Sequence, residues 1–184
     1  IEKSGRHRPL IINFDAHLDV RPVDTEKGIS SGTPFYRLLE AFPEKFDFVE
    51  IGIQSCCNSQ VHLKWAKDRG AKVIMLEDLL YSGDDAVTEV VKHLGDALLS
   101  RRPTYLSVDI DVFSSAVAPG ASQSFPLGLE VQDFFRLFQM LTARLDVRML
   151  GIYEVAPSLD HGMSTVRLAA QILHRDSFLC RRAV

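Results

Sequence analysis

Residues 13–19 read Asn13-Phe14-Asp15-Ala16-His17-Leu18-Asp19, and they directly follow the apolar run Pro9-Leu10-Ile11-Ile12. Such a run predicts a buried β-strand. Polar and apolar side chains alternate after it, so an extended backbone would point Asp15, His17 and Asp19 to one side. Two carboxylates and an imidazole on one side of a strand end indicate a metal site.

A second stretch of this kind, Ser107-Val108-Asp109-Ile110-Asp111, follows another apolar strand, and Glu154 follows a third. In open parallel sheets, ligands bind beyond the carboxyl ends of the strands. Carboxylates gathered there repel one another, and two divalent cations would neutralise them. Oxygen-rich ligation with a single imidazole favours Mn²⁺ over a structural zinc site. A metal pair about 3.5 to 4 Å apart can hold a bridging hydroxide, which is a nucleophile for hydrolysis.

The rest of the chain alternates between strand and helix patterns, which predicts an α/β fold with a parallel sheet covered by helices. Strands are predicted at 9–14, 46–53, 72–76, 104–109 and 147–153. Helices are predicted at 32–41, 59–69, 131–145 and 165–179, with a fifth that begins at Asp84-Asp85 and is closed by Pro103.

Length and composition restrict the class of protein. A chain of 184 residues, 46% hydrophobic and 24% charged, fits one globular domain over residues 1–184. The net charge of −3 gives no electrostatic case for nucleic acid, and no apolar run approaches the length of about 18 residues that spans a membrane. Three cysteines are too few for a disulfide framework, which favours the cytoplasm.

Three motifs occur in a fixed order: Asp15-Ala16-His17-Leu18-Asp19, then Ser107-Val108-Asp109-Ile110-Asp111, then Glu154-Val155-Ala156-Pro157 with Asp160. Together they resemble the signatures of the ureohydrolase superfamily, which contains arginase, agmatinase and formimidoylglutamase. Three ordered motifs over nearly the whole chain are a specific signal, whereas Asp-x-Asp alone is weak. The resemblance implies an arginase-like three-layer α-β-α fold with a mainly parallel sheet.

Within the superfamily the details are most similar to formimidoylglutamase, in the stretches 14–21, 30–35, 52–58 and 116–120. That resemblance implies Mn²⁺-dependent hydrolysis of N-formimidoyl-L-glutamate to L-glutamate and formamide, in histidine breakdown. It implies a small-molecule amidine substrate, two Mn²⁺ ions at the site and a homo-oligomer. Agmatinase or another amidinohydrolase is the alternative within the superfamily.

The resemblance also implies roles for individual residues. Metal ligation falls to Asp15, His17, Asp19, Asp109 and Asp111. Glu154 and Asp19 are the candidate catalytic carboxylates, and Glu154 would also bind the amidinium nitrogens. Arg21 would bind a substrate carboxylate, with Ser31 and Asn58 as weaker candidates.

Structural roles compete with each of these functional ones. Asp109 and Asp111 could cap the following loop, and Glu154 could hold a backbone turn. Arg21 could form a surface ion pair, and Asn58 could be a helix N-cap.

The superfamily draws one further metal-binding histidine from a Gly-Gly-x-His motif upstream of Asp15. No such motif occurs here, and His7 precedes the first strand, at the other end of the sheet. We therefore expect the chain to lack the N-terminal part and its strands, to bind metal incompletely and to be nearly inactive. Two other classes remain open: a non-catalytic pseudoenzyme subunit, and a haloacid-dehalogenase-like phosphatase with Asp109 as its nucleophile.

Overall fold

The computed structural model describes residues 8–24, 26 and 28–182, with side chains as far as residue 175. Within these residues the chain forms a five-stranded parallel sheet of order β3-β2-β1-β4-β5. The strands are β1 (Leu10–Phe14), β2 (Asp47–Ile53), β3 (Lys72–Met75), β4 (Pro103–Asp109) and β5 (Asp146–Tyr153). The predicted α/β class with a parallel sheet is confirmed.

Six α-helices accompany the strands in the described residues. They are α1 (Pro34–Ala41), α2 (Gln60–Asp68), α3 (Leu76–Tyr81), α4 (Ala86–Leu94), α5 (Val131–Arg144) and α6 (Ser164–Arg182). Two 3-10 turns, Gly95–Leu99 and Ile110–Val112, precede and follow β4. Among the described residues, no helix combines the length and the apolar character needed to cross a bilayer.

The helices cover the two faces of the sheet as two separate layers. On one face, α1 and α2 pack Phe35, Leu39 and Ala66 against strand residues that include Ile11 and Phe48. On the other face, α3 to α6 pack against the alternate strand residues, which include Leu10, Ile12, Phe14, Leu106 and Val108. Strand residues are therefore apolar on both sides, which is why their sequences read as continuous hydrophobic runs.

The strand order creates a crevice beside β1. The chain passes from β1 through β2 to β3 on one side and then returns to β4 on the other side of β1. Connections leave β1 and β4 in opposite directions, and ligands bind at such a switch point. Phe14 pairs with Val108, so Asp15 and Asp109 follow at the same level of the two strands.

The structure differs from the predicted elements in two places. The helix predicted to run to Pro103 ends at Leu94, because Gly95 adopts a φ of 50° and the chain continues as a 3-10 turn. Its predicted start is close, since Asp85 accepts hydrogen bonds from the first N–H groups of α4. Helix α3 was not predicted, because Leu76 extends the apolar run of β3 and periodicity cannot separate the two.

Strand β5 is the exposed edge of the sheet in the described part of the chain. Met149 is 63% exposed and Tyr153 is 49% exposed. Met149 pairs with Tyr105 of β4, which packs at the border of the α1 and α2 layer, so this face of β4 and β5 is only partly covered.

Candidate metal centre

Asp15 is the first residue after β1 and is held on several sides. Its backbone N–H donates to the carbonyl of Ile51 at 3.1 Å, which continues the strand pairing. Its Oδ1 accepts the backbone N–H of His17 at 2.6 Å, and its Oδ2 accepts Nδ2 of Asn13 at 3.1 Å. With 2% of its surface exposed, Asp15 presents its carboxylate to the crevice in a fixed orientation.

His17 faces two carboxylates at once. Its Nδ1 lies 3.0 Å from Oδ2 of Asp111 and 3.6 Å from Oδ1 of Asp15. The three residues offer ligand atoms that all lie within 4.8 Å of one another. The structure thus brings the first and second motifs together at one point.

Asp111 reaches this point by a turn and not by the extended alternation that the sequence suggested. Asp109 accepts the backbone N–H of Asp111 at 3.0 Å and so starts the 3-10 turn Ile110–Val112. Asp111 in turn accepts the backbone N–H of Ala16 at 3.3 Å. Asp109 does cap the following loop, and this role is compatible with ligation because a carboxylate has further lone pairs.

Asp19 also leaves the extended pattern, with a φ of 50°. A left-handed backbone costs a residue with a Cβ about 1 kcal/mol or more and is concentrated at functional sites. The carbonyl of Asp19 accepts the N–H groups of Phe35 and Tyr36 at the start of α1, which fixes the turn. Asp19 therefore turns back to line the crevice beside Asp15.

Asn58 fixes the loop that follows β1 by hydrogen bonds to its backbone. Its Oδ1 accepts the N–H of Leu18 at 2.9 Å, and its Nδ2 donates to the carbonyls of Ala16 and Gln54 at 2.8 Å. It does not cap α2, because Ser59 does. Its substrate role stays a prediction. Both polar atoms of its side chain are already hydrogen-bonded to backbone groups.

Burial and mutual repulsion shift the acidic groups strongly. Burial raises the pKa of Asp15 to about 6, with a further contribution from the charge of Asp111. Burial, then the charge of Asp15, raises the pKa of Asp19 to about 8, and the same causes raise the pKa of Asp109 to about 9. Burial lowers the pKa of His17, but its hydrogen bonds to Asp111 and Asp15 outweigh this and raise it to about 12.

These shifts describe a cluster with more buried carboxyl groups than positive charges to compensate them. Buried carboxylates take up protons when no cation compensates them, and His17 holds a proton between two of them. A divalent cation would replace those protons, because metals bind deprotonated carboxylates and neutral imidazole. The donor set fits a hard cation such as Mn²⁺, held by Asp15, His17 and Asp111 with Asp19 and Asp109 beside them.

Two cavities meet at this cluster. One of about 420 Å³ is bounded by Phe35, Leu38 and the hydroxyl pair of Tyr105 and Tyr153, whose oxygens lie 2.6 Å apart. The other, of about 280 Å³, contains His17, Arg21 and Ser122. Four predicted site residues line both cavities, namely Asp19, Ser31, Asp109 and Glu154.

Glu154 and Arg21 both line the smaller cavity. Glu154, the first residue after β5, has a φ of 57° and accepts Oγ of Ser122 at 2.7 Å. Arg21 lies along Gly32, where a Cβ would come within 3.0 Å of its Cδ, so the glycine makes room for this side chain. The charge of Arg21 opposes the rise in the pKa of Asp19, which shows that the guanidinium acts on the cluster.

Comparison with known proteins identifies this arrangement. The profile of the Arginase family matches residues 2–177, nearly the whole chain. The chain belongs to the arginase family. Formimidoylglutamase from Clostridium tetani is 35% identical to it over 166 residues, which are 89% of this chain and 48% of that protein.

Solved structures agree with the arginase-family assignment. Formimidoylglutamase from Bacillus subtilis superimposes with a TM-score of 0.80 at 28% identity, covering 91% of this chain and 52% of that one. Formiminoglutamase from Trypanosoma cruzi, solved with Mn²⁺, gives a TM-score of 0.75 at 28% identity, covering 89% of this chain and 53% of that one. The chain therefore spans about half the length of the relatives it matches.

Several residues of this arginase-family site were missed by the sequence reasoning. Ser122, which donates to Glu154, lies in an irregular loop with no pattern to mark it. Asn13 and Glu50 are polar residues inside otherwise apolar strands, and this polarity identifies them once the strand register is known.

Asp160 of the third motif accepts the N–H groups of Thr165 and Val166, so it fixes the start of α6. His7 lies outside the described residues.

Proposed function

We propose that the chain forms the metal-binding part of an Mn²⁺-dependent hydrolase that converts N-formimidoyl-L-glutamate to L-glutamate and formamide, a step of histidine breakdown. The convergence of Asp15, His17 and Asp111 beside cavities that hold both Glu154 and Arg21 carries the proposal. It is supported by the names of the relatives from Clostridium tetani and Bacillus subtilis.

The proposal includes two Mn²⁺ ions, held by Asp15, His17, Asp19, Asp109 and Asp111. Divalent cations bound there would lower the pKa of a bound water to near 7 and would stabilise developing negative charge. The Mn²⁺ in the Trypanosoma cruzi relative supports the choice of metal. Four carboxylates at the ends of two strands support a second cation, because two divalent ions are needed to balance four negative charges.

The residues around the cavity would orient a substrate with charge at both ends. The formimidoyl group is a planar cation, and the carboxylate of Glu154 can accept two parallel N–H groups from it. Ser122 holds that carboxylate by a hydrogen bond of 2.7 Å. The glutamate part carries two carboxylates, and Arg21, which lines the same cavity, is a cation that would bind one of them.

The overall reaction breaks the bond between the formimidoyl carbon and the glutamate nitrogen. The oxygen of water goes to the carbon, which leaves as formamide, and both protons of the water go to the glutamate nitrogen, which leaves as an ammonium group. Glu154 would hold the nitrogen that stays with the formamide, and Arg21 would hold the product that leaves.

We also propose a cytoplasmic enzyme that assembles as a homo-oligomer and acts on this small molecule without nucleic acid or membrane.

A formamide-release assay with added Mn²⁺ tests the proposal, on the 184-residue chain and on the longest polypeptide that its gene encodes. We expect release by the longest polypeptide and little by the chain alone, which has no upstream histidine motif. Urea release from a guanidino substrate without formamide would instead establish another amidinohydrolase. Mn²⁺ binding with no release from either substrate class would establish a non-catalytic subunit.

A further inference from the structure

A polar pair is buried inside the sheet directly below the metal centre. Asn13 of β1 and Glu50 of β2 are register partners, and they are 1% and 0% exposed. On the same face of the sheet, the flanking residues Ile11 of β1 and Phe48 of β2 are buried and apolar. Burying a carboxylate and an amide in such surroundings costs free energy unless all of their polar atoms are hydrogen-bonded.

The contacts of this pair lead directly to Asp15. Nδ2 of Asn13 donates to Oε2 of Glu50 at 2.9 Å and to Oδ2 of Asp15 at 3.1 Å. An amide nitrogen has two hydrogens, so both are used on carboxylates. The other oxygen of Asp15 already accepts the backbone N–H of His17. Both oxygens of Asp15 are therefore fixed, one by the loop and one through Glu50.

Fold stability does not explain the pair. Oε1 of Glu50 is buried and has no hydrogen-bond partner in the described part of the chain. Burial, and then the charge of Asp15, raises the pKa of Glu50 well above its usual range, which is the mark of a group in unfavourable surroundings. Apolar residues of similar volume commonly serve stability as well or better at such positions.

We infer that Glu50 is a positioning residue of the metal centre: it anchors the Asn13 amide, which holds the Asp15 carboxylate in the orientation needed to bind a divalent cation. Without Glu50 the amide loses one of its two anchors and can rotate away from Asp15. Partners that orient metal ligands in this way typically change metal affinity by about 10- to 100-fold. The inference rests on the proposed metal binding but not on the identity of the substrate.

The test is Mn²⁺ titration monitored by the electron paramagnetic resonance of the free ion, on the longest polypeptide that the gene encodes. Glu50→Met and Asn13→Leu each remove the chain of contacts, and we expect each to raise the Mn²⁺ dissociation constant about 10- to 100-fold. Glu50→Gln keeps an oxygen that accepts from Asn13, so its dissociation constant stays closer to that of the unchanged protein. The double variant is expected to bind no more weakly than the weaker single variant, because both act through Asp15.

Thr104→Val is the matched control. It removes another buried polar group of the sheet, whose hydroxyl donates to the carbonyl of Arg102 at 2.9 Å, far from the crevice. Its Mn²⁺ affinity should not change. In metal-free protein, the double variant Asn13→Leu with Glu50→Met should melt at the same temperature as the unchanged protein or higher, whereas a purely structural pair would lower it.

The outcomes separate this inference from the proposed function. Unchanged Mn²⁺ affinity in Glu50→Met and Asn13→Leu, in a protein that binds Mn²⁺, overturns the positioning role alone. Equal losses in Glu50→Met and Thr104→Val also overturn it. Failure of the unchanged protein to bind Mn²⁺ overturns the proposed function itself.

Discussion

Raising the pH of the metal-free protein should weaken the fold. The carboxyl groups of Asp15, Asp19 and Asp109 have pKa values of about 6, 8 and 9 in the fold, against an ordinary value of 3.8. Between these limits the folded chain holds protons that the unfolded chain has released, so the free energy of unfolding falls as the pH rises. The raised pKa of His17 acts with the same sign from pH 6.5 upward.

The size of the effect follows from the least shifted of these groups. The carboxyl of Asp15, with a pKa of about 6 in place of 3.8, corresponds to about 3 kcal/mol lost between pH 4 and pH 6. Asp19 and Asp109 extend the loss towards pH 9, although coupled groups do not add in full. In a domain of this size, about 3 kcal/mol lowers the melting temperature by about 6 to 12 °C.

Thermal unfolding in EDTA from pH 4 to pH 9 measures this slope. Mn²⁺ should remove most of it, so stabilisation by the metal should be larger at pH 8 than at pH 6. Asp109→Asn should flatten the alkaline part of the curve, and Asp68→Asn, at an exposed position of α2, should leave it unchanged. A melting temperature that is constant or rises between pH 5 and pH 8 in EDTA would show that these carboxyl groups do not hold extra protons in the fold.

Three substitutions test the other roles. Glu154→Gln should lower kcat/KM for formimidoylglutamate by about 100-fold or more with unchanged Mn²⁺ affinity, because the amide cannot pair with the amidinium; weakened Mn²⁺ binding would contradict this. Arg21→Met should raise KM about 10-fold or more with a smaller change in kcat, while Arg37→Met, at an exposed position of α1, should change neither. Equal effects of the two substitutions would count against a substrate role for Arg21. Asn58→Leu should lower the melting temperature in EDTA by about 4 °C or more, since three backbone hydrogen bonds are lost; an unchanged melting temperature would remove its role as a clamp.

The sheet could be predicted from the sequence because its strands are buried on both faces. Runs such as those of β1 and β2 are apolar throughout, and parallel pairing sends their carboxyl ends to one edge, so Asp15 and Asp109 had to meet there. Helix α3 was not readable, because hydrophobicity does not change where β3 ends and α3 begins.

The inner details of the site depended on backbone geometry and register. Asp111 arrives through a 3-10 turn and Asp19 through a left-handed residue, neither of which alternation can predict. The contact of Glu50 with Asn13 joins positions 37 residues apart, so it required knowledge of which strands pair and how. Sequence reasoning found the residues that present charge to the crevice and missed those that hold them in place.

Anomalous diffraction at the manganese edge, from crystals of the protein grown with Mn²⁺, tests the central claim most directly. Asp15, His17 and Asp111 already offer ligand atoms within 4.8 Å of one another. We expect an anomalous peak within about 2.0 to 2.6 Å of ligand atoms from these three residues, and we expect that peak to be lost in Asp111→Asn crystals. Anomalous density that appears elsewhere, or that leaves these three side chains without a metal, would contradict it.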